Sequence, residues 1–232
     1  MNPTTPKTHL FTLATPSDAT NRLHIALRLK VLAYNHSEIT LPPTQEYLKL
    51  NPSGTAPTLV LPLESSDLGA AVLSQSIAAL EYLEEAFPET NPLLPPLTAL
   101  AARGQVRTLM NIITADTHPL TTNRVQKSIT SLFPGEAAEK AKRSGNREWD
   151  VHWIRRGLGI FEESLFDAGD LATGNYSVGD NVTLADVCLV PEVWTAERMG
   201  VRVANEFPRI AKVVSRCMEL PAFAEARAIH GS

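Results

Sequence analysis

The stretch Leu50-Asn51-Pro52-Ser53-Gly54-Thr55-Ala56-Pro57-Thr58-Leu59-Val60-Leu61-Pro62-Leu63 decides how the first part of this chain folds. A polar loop rich in turn residues gives way to a largely apolar run, so residues 58–63 predict a strand. A proline directly before a strand, after such a loop, suggests a cis peptide at Ala56–Pro57. A cis bond there turns the backbone of Ala56 outward. Its N–H and C=O can then pair with an extended peptide ligand by strand addition. The competing reading is an ordinary turn.

Around this stretch the hydrophobic period changes repeatedly. Residues 8–14 (THLFTLA) are short and largely apolar, a strand. Residues 21–32 (NRLHIALRLKVL) place Leu23, Ala26, Leu27 and Val31 at helical spacing. Residues 34–40 (YNHSEIT) predict a second strand. Residues 70–73 (AAVL) predict another, joined to 58–63 by the polar turn 64–69. Residues 75–86 (QSIAALEYLEEA) form an amphipathic helix. The order is β-α-β-(short α)-β-β-α.

Residues 87–98 (FPETNPLLPPLT) carry four of the 17 prolines, a density that blocks helix and strand alike. This is the expected linker. Beyond it there is no alternating pattern, only helical ones broken by Pro, Gly and Asn. Residues 99–130 predict one long helix bent at Pro119, and 144–166 contain the amphipathic segment 149–166 (WDVHWIRRGLGIFEESLF). Further helices are expected near 183–199, 208–219 and 221–229. The organisation predicted is an α/β domain over 8–87, a linker over 88–98 and an all-helical domain over 99–230.

At 232 residues, with 44% hydrophobic and 20% charged residues, the chain can bury real cores in two small domains. A net charge of −4 offers no footprint for nucleic acid or an anionic membrane. No apolar run approaches the roughly 20 residues that span a bilayer. Residues 1–7 (MNPTTPK) lack the apolar centre of a signal peptide and read as a disordered leader. Cys188 and Cys217 each sit inside an apolar helical pattern without metal-ligand spacing. They predict buried, reduced thiols and no metal site. A cytoplasmic location follows as the default.

Three local features of the first domain belong together. Ser17-Asp18-Ala19-Thr20-Asn21-Arg22 opens the first helix. Unpaired N–H groups and the positive dipole end there favour an anion. A hydroxyl from Ser17 or Thr20 can donate to a thiolate and lower its pKa; the alternative is simple N-capping. The loop of Thr55, Ala56 and Pro57 is the second feature. Gln75-Ser76, at the start of the third helix, is another N-terminal anion site, suited to a ligand carboxylate, or else a cap. A fold of this order brings all three to one edge of the sheet.

These residues carry a resemblance. Ser17…Arg22-x-x-Ile25-Ala26-Leu27-x-Leu29-Lys30, then Leu50-Asn51-Pro52-x-Gly54-x-x-Pro57-Thr58-Leu59, then Gln75-Ser76-x-Ala78-x-x-Glu81-Tyr82-Leu83-Glu84-Glu85 resemble cytosolic glutathione transferases. The zeta class, with its maleylacetoacetate and maleylpyruvate isomerases, is the most similar. Val178-Gly179-Asp180-x-Val182-Thr183-x-Ala185-Asp186 agrees, Thr183 and Asp186 resembling the superfamily's capping box. The resemblance runs from about residue 10 to 223. It implies a thioredoxin-like first domain with a helical-bundle second domain, glutathione as cofactor, and a homodimer.

The resemblance also implies site residues. Ser17 takes the place of the glutathione-activating serine, although the cysteine and tryptophan usual after it are absent. Ser17, Thr55, Ala56, Pro57, Gln75 and Ser76 would bind glutathione. Asp116-x-His118-Pro119-Leu120-x-x-x-Arg124 resembles a bacterial isomerase motif whose His and Arg line the pocket, so His118 and Arg124 would face substrate. Arg198, in Ala196-Glu197-Arg198, would face a substrate carboxylate, which an arginine fork suits. The competing reading of each is a surface or interhelical ion pair. Pro16 stands where bacterial relatives have a carboxylate-binding arginine, and Thr121-Thr122 replace two asparagines. These departures favour a larger or less charged substrate.

The chemistry implied is thiolate addition to a double bond conjugated to a carbonyl, then rotation and elimination, a cis–trans isomerisation that returns glutathione. Without elimination the product is a stable conjugate, as in a glutathione S-transferase. A glutathione-binding module without catalysis is the remaining alternative.

Overall fold

The computed structural model describes residues 8–62, 69–132, 147–165 and 174–229. The chain divides into two compact units, Met1–Leu93 with Met218–Ser232, and Leu94–Cys217.

The first unit runs β1 (His9–Thr12), α1 (Asp18–Leu29), β2 (Asn35–Glu38), α2 (Gln45–Leu50), β3 (Thr58–Pro62), β4 (Ala70–Leu73) and α3 (Ser76–Ala86). The sheet order is β2-β1-β3-β4. β1 and β2 are parallel, as the crossover through α1 requires, and the other two pairs are antiparallel. Leu10, Leu59 and Leu61 are buried with Leu23, Ile25, Ala26 and Leu27 of α1 and Ala79, Leu80 and Leu83 of α3. Each fully buried leucine contributes on the order of 2 kcal/mol. Leu63 and the turn residues 64–68 lie outside the described residues.

α1 begins and ends about three residues earlier than its apolar spacing predicts. At the start, Ser17 is the N-cap, with extended backbone and a side chain that accepts from the Thr20 N–H. At the end, Val31 has a φ of 54°, a left-handed conformation that no helix continues through, and it is 78% exposed. β1 and β2 are likewise shorter than predicted. Ala56–Pro57 is cis, and so is Leu41–Pro42, which was not anticipated.

Past α3 the chain is fastened rather than loose. Lys30 Nζ donates to the carbonyls of Phe87 (3.0 Å) and Thr90 (3.1 Å). The Leu93 N–H is shared by both Glu84 carboxylate oxygens at 3.0 Å, and Asn91 Nδ2 donates to Leu29 O at 2.6 Å.

The second unit holds α4 (Leu100–Asn111), a π-helical turn (Ile112–Thr117), a 3-10 helix (His118–Thr121), α5 (Asn123–Leu132), α6 (Arg147–Glu163), α7 (Leu184–Arg198), α8 (Val203–Glu206) and most of α9 (Pro208–Met218). The single bent helix expected over 99–130 is therefore corrected to α4, a distorted middle and α5. The ring of Pro119 clashes with a carbonyl one turn back and brings no N–H. The chain widens into the π turn before it and breaks at Thr122, whose ψ is 143°. The Thr117 hydroxyl closes the turn by donating to Ile112 O at 2.7 Å. Residues 144–146 and Phe166 of the predicted 144–166 segment lie outside the described residues.

α7 is the core helix, buried without interruption from Leu184 to Trp194. Its start is the predicted capping box: Asp186 Oδ2 accepts from the Thr183 N–H (2.7 Å) and hydroxyl (2.9 Å), and Oδ1 from the Ser177 N–H (2.9 Å). Burial pushes the Asp186 carboxyl above the usual carboxylate range, and these hydrogen bonds oppose the rise. Cys188 and Cys217 are free and buried, as predicted.

A final helix, α10 (Pro221–Ala228), belongs to the first unit and packs on α1. Arg28 Nε meets Glu225 Oε2 there at 3.1 Å, a pair mostly open to water and worth little by itself.

Candidate active site

The register of the sheet decides which loops meet in the first unit. Phe11 of β1 is paired with Thr58 of β3, and Leu59 of β3 with Leu73 of β4. The C-terminal end of β1, the N-terminal end of β3 and the C-terminal end of β4 therefore lie at one end of the sheet. Ser17 follows the first, Thr55, Ala56 and Pro57 precede the second, and Gln75 and Ser76 follow the third.

Ser17 is half-buried and accepts from the Thr20 N–H at 3.4 Å, a long bond. A hydroxyl has one donor and two acceptor sites, so this capping bond leaves the O–H proton for another partner. Capping and thiolate donation are compatible in this serine. Asp18 occupies the first helical position and is buried, where its carboxylate favours the helix N-terminus.

The loop before β3 is built on Asn51, which is 1% exposed. Its Oδ1 accepts from the Ser53 N–H (3.0 Å) and hydroxyl (2.7 Å), and its Nδ2 donates to Thr55 O (2.7 Å) and Thr58 Oγ1 (3.0 Å). The Tyr47 hydroxyl donates to Thr55 O at 2.5 Å. Gly54, at φ 65°, admits the turn, and a Cβ there would also stand 3.0 Å from Pro43 Cγ. These bonds use the carbonyl of Thr55 and leave out the N–H and C=O of Ala56, the next residue.

Gln75 is the N-cap of α3 by backbone conformation, but its side chain makes no capping bond and is exposed; Ser76 is buried at the first helical position. The N–H groups that open α3 are therefore not covered by the Gln75 side chain.

In the second unit His118 opens the 3-10 helix, Arg124 is exposed on α5, and Arg198 is exposed at the end of α7. Arg198 Nη2 donates to Thr195 Oγ1 at 2.6 Å on its own helix. The Thr121 and Thr122 hydroxyls donate to the His118 and Pro119 carbonyls. Those threonines brace the turn rather than offer polar anchors.

Two buried acids of this unit were missed in the sequence. Glu192 has no exposed side-chain surface, and its Oε2 lies 3.6 Å from His118 Nδ1. A lone Glu within the apolar run Val187–Trp194 was the available signal. Asp150 on α6 is 1% exposed and accepts from Gln126 Nε2 at 2.5 Å. Burial pushes its carboxyl up, with the Gln126 bond opposing.

A four-stranded mixed sheet with helices, followed by a helical unit, defines the two-domain architecture of glutathione transferases. The family model for the glutathione S-transferase N-terminal domain matches residues 17–86, and that for the C-terminal domain matches 123–221. A maleylacetoacetate isomerase of Aspergillus fumigatus is 38% identical over 221 residues, 93% of this chain and 88% of that protein. A maleylpyruvate isomerase of a Ralstonia species is 38% identical over 216 residues, covering 90% and 92%. Among solved structures, the holo form of a maleylpyruvate isomerase, described as a bacterial zeta-class glutathione S-transferase, has a TM-score of 0.77 at 34% identity, covering 94% and 95% of the two chains. A maleylacetoacetate isomerase from Anaeromyxobacter dehalogenans, solved with glutathione in its active site, has a TM-score of 0.77 at 31% identity, covering 95% and 94%. The chain belongs to the glutathione S-transferase family, alongside its zeta-class maleylacetoacetate and maleylpyruvate isomerases.

Proposed function

We infer that the protein is a glutathione-dependent cis–trans isomerase acting on a double bond conjugated to a carbonyl. The observation that carries this is the gathering of Ser17, Ala56 and the Gln75–Ser76 turn at one end of the sheet, in a chain of this family. In this reading the N–H and C=O of Ala56, left out by the bonds described within its loop, pair with the tripeptide backbone, beside Thr55 and Pro57. The opening N–H groups of α3, at Gln75 and Ser76, receive a glutathione carboxylate. The Ser17 O–H donates to the thiolate, helped by the α1 dipole.

The thiolate adds to the double bond, negative charge moves to the carbonyl oxygen, the former double bond rotates, and elimination restores the thiolate. His118, Arg124 and Arg198 are assigned to the second substrate, as a donor to the developing enolate and as carboxylate partners. Residues 8–87 thus serve glutathione and 99–230 the substrate, in a cytoplasmic homodimer; the family likeness supports these assignments.

The test is to supply glutathione with a cis-configured 4-oxo-2-alkenoic acid and follow both compounds. Conversion to the trans isomer at constant glutathione supports the reading. Stoichiometric loss of glutathione would favour the second reading, a conjugating transferase. Pro16 and the self-satisfied hydroxyls of Thr121 and Thr122 speak for that reading, since they leave fewer anchors for a dicarboxylate.

A further inference from the structure

Two neighbouring residues in the first turn of α6 hold the helix break at Thr122 from both sides. Before the break, the Trp149 indole N–H donates to Leu120 O at 2.8 Å. Beyond it, the Asp150 carboxylate accepts from Gln126 Nε2, and the same amide donates to Thr121 O at 3.3 Å. Both N–H bonds of the Gln126 amide are thereby spent on tying the restarted chain to the segment it left and to α6. The Gln126 backbone N–H donates to Thr122 O at 3.2 Å, so the opening turn of α5 is formed around these bonds.

Arg124 lies between the two anchors. Its side chain is exposed, so its direction is set by the backbone beneath it rather than by packing. No acidic residue stands in the first turn of α5, where the guanidinium and the positive end of the helix dipole favour an anion together. A shift of this turn moves both. Among the described elements α5 packs chiefly on the 3-10 helix, so the tie to α6 through Gln126 carries much of its placement.

Asp150 is a costly residue for this place. It is 1% exposed, and its Oδ1 is buried without a hydrogen-bond partner among the described residues. Such a carboxylate lowers stability where an apolar side chain would not. We propose that Asp150 is a positioning residue for Arg124: it fixes Gln126, Gln126 fixes the restart of α5, and that restart aims the guanidinium at the substrate carboxylate. The inference rests on the reading that assigns Arg124 to the substrate.

The experiment compares Asp150→Ala, which removes the acceptor, with Asp150→Asn, which keeps one, each alone and combined with Arg124→Gln in the full-length protein. The substrates are the cis-configured 4-oxo-2-alkenoic acid and its methyl ester. With the acid, Asp150→Ala should raise KM about 10-fold or more, since misplacement by about 1 Å can cost about 10²-fold. KM for glutathione should stay unchanged. Asp150→Asn should stay within about 2-fold of the unaltered protein, because Gln126 still finds its acceptor. Asp150→Ala should add no loss in the Arg124→Gln background. The ester, which has no carboxylate to aim at, should respond to neither change. Equal losses on acid and ester, losses that add, or an Asn variant as impaired as the Ala variant overturns the proposal. If the unaltered protein isomerises neither compound, the isomerase reading fails by itself. Amide hydrogen exchange then judges the clamp: residues 123–126 should exchange about 10-fold faster in Asp150→Ala than in Asp150→Asn, and equal rates overturn it.

Discussion

Lys30 Nζ lies 2.7 Å from Glu84 Oε1, and this ion pair between α1 and α3 has almost no exposed surface. The two charges share their work on the chain that follows: Lys30 holds the carbonyls of Phe87 and Thr90, and Glu84 holds the Leu93 N–H. Removing one partner leaves the other charge buried. Lys30→Met should cost about 3–5 kcal/mol in urea unfolding, as broken buried pairs do. It should also speed proteolytic cleavage between residues 87 and 93. A loss below about 1 kcal/mol would mean that water reaches the pair.

Ser17→Ala separates capping from catalysis. The cap bond is long at 3.4 Å, so the stability loss should be near the lower end of about 0.5–2 kcal/mol. Glutathione-affinity retention should persist, since the contacts proposed for Ala56 and Gln75 do not involve Ser17. Thiolate absorbance of bound glutathione at neutral pH should fall, and turnover should drop about 10²-fold, as for loss of one preorganised donor. Unchanged absorbance and turnover would dismiss Ser17 as the activator.

Gly157→Ala tests the packing under His118. The new methyl would meet the Thr117 side chain far inside van der Waals contact, 2.8 Å from its Cβ, so α6 or the π turn must shift. Overpacking of this kind costs about 1–3 kcal/mol. Because the displaced turn carries His118, turnover should fall further than the lost stability accounts for, measured where the variant is fully folded.

Asp150→Asn should show a reversed acid response. The folded carboxyl is raised by burial above its unfolded value, so the folded state binds its proton more readily. At neutral pH, above the folded pKa, the native protein bears the full cost of the buried charge. As pH falls through that pKa the cost is relieved. The variant should therefore melt higher than the native protein at pH 7, and the advantage should shrink on acidification towards pH 4. A constant difference across that range would contradict it.

Neither cysteine should react in the native state. Burial pushes the Cys217 thiol far above its ordinary range, and the Asp186 carboxylate adds to the shift. Ellman's reagent should count no thiol before denaturation and two after it; the chain holds two cysteines.

The first unit was legible because its signals are local. Period changes between residues 8 and 86 gave the element order, and a proline between a polar loop and an apolar run marked Ala56–Pro57. Ends of elements were less legible. Val31 fits the apolar spacing of α1, but spacing does not disclose a left-handed backbone. The π turn was hidden because Pro119 announces a bend without saying how the backbone before it will widen, and the close approach of Gly157 to Thr117 is tertiary. Glu192 was hidden for the same reason: nothing local to it announces a histidine arriving from another segment. Ser17 was legible as a position but ambiguous as a role, and the bond geometry shows that the two roles do not compete.

The packing of α10 on α1 gives the first unit a delayed closure. During synthesis its sheet and three helices emerge early, but the helix that covers α1 emerges only after the whole second unit has been made. A nascent chain halted after Leu93 would leave uncovered the face of α1 on which α10 rests, and shortening the chain before Pro221 would leave the same face bare in the finished molecule. An alteration near the C-terminus is therefore a change to the first unit, felt first along the helix that Ser17 caps.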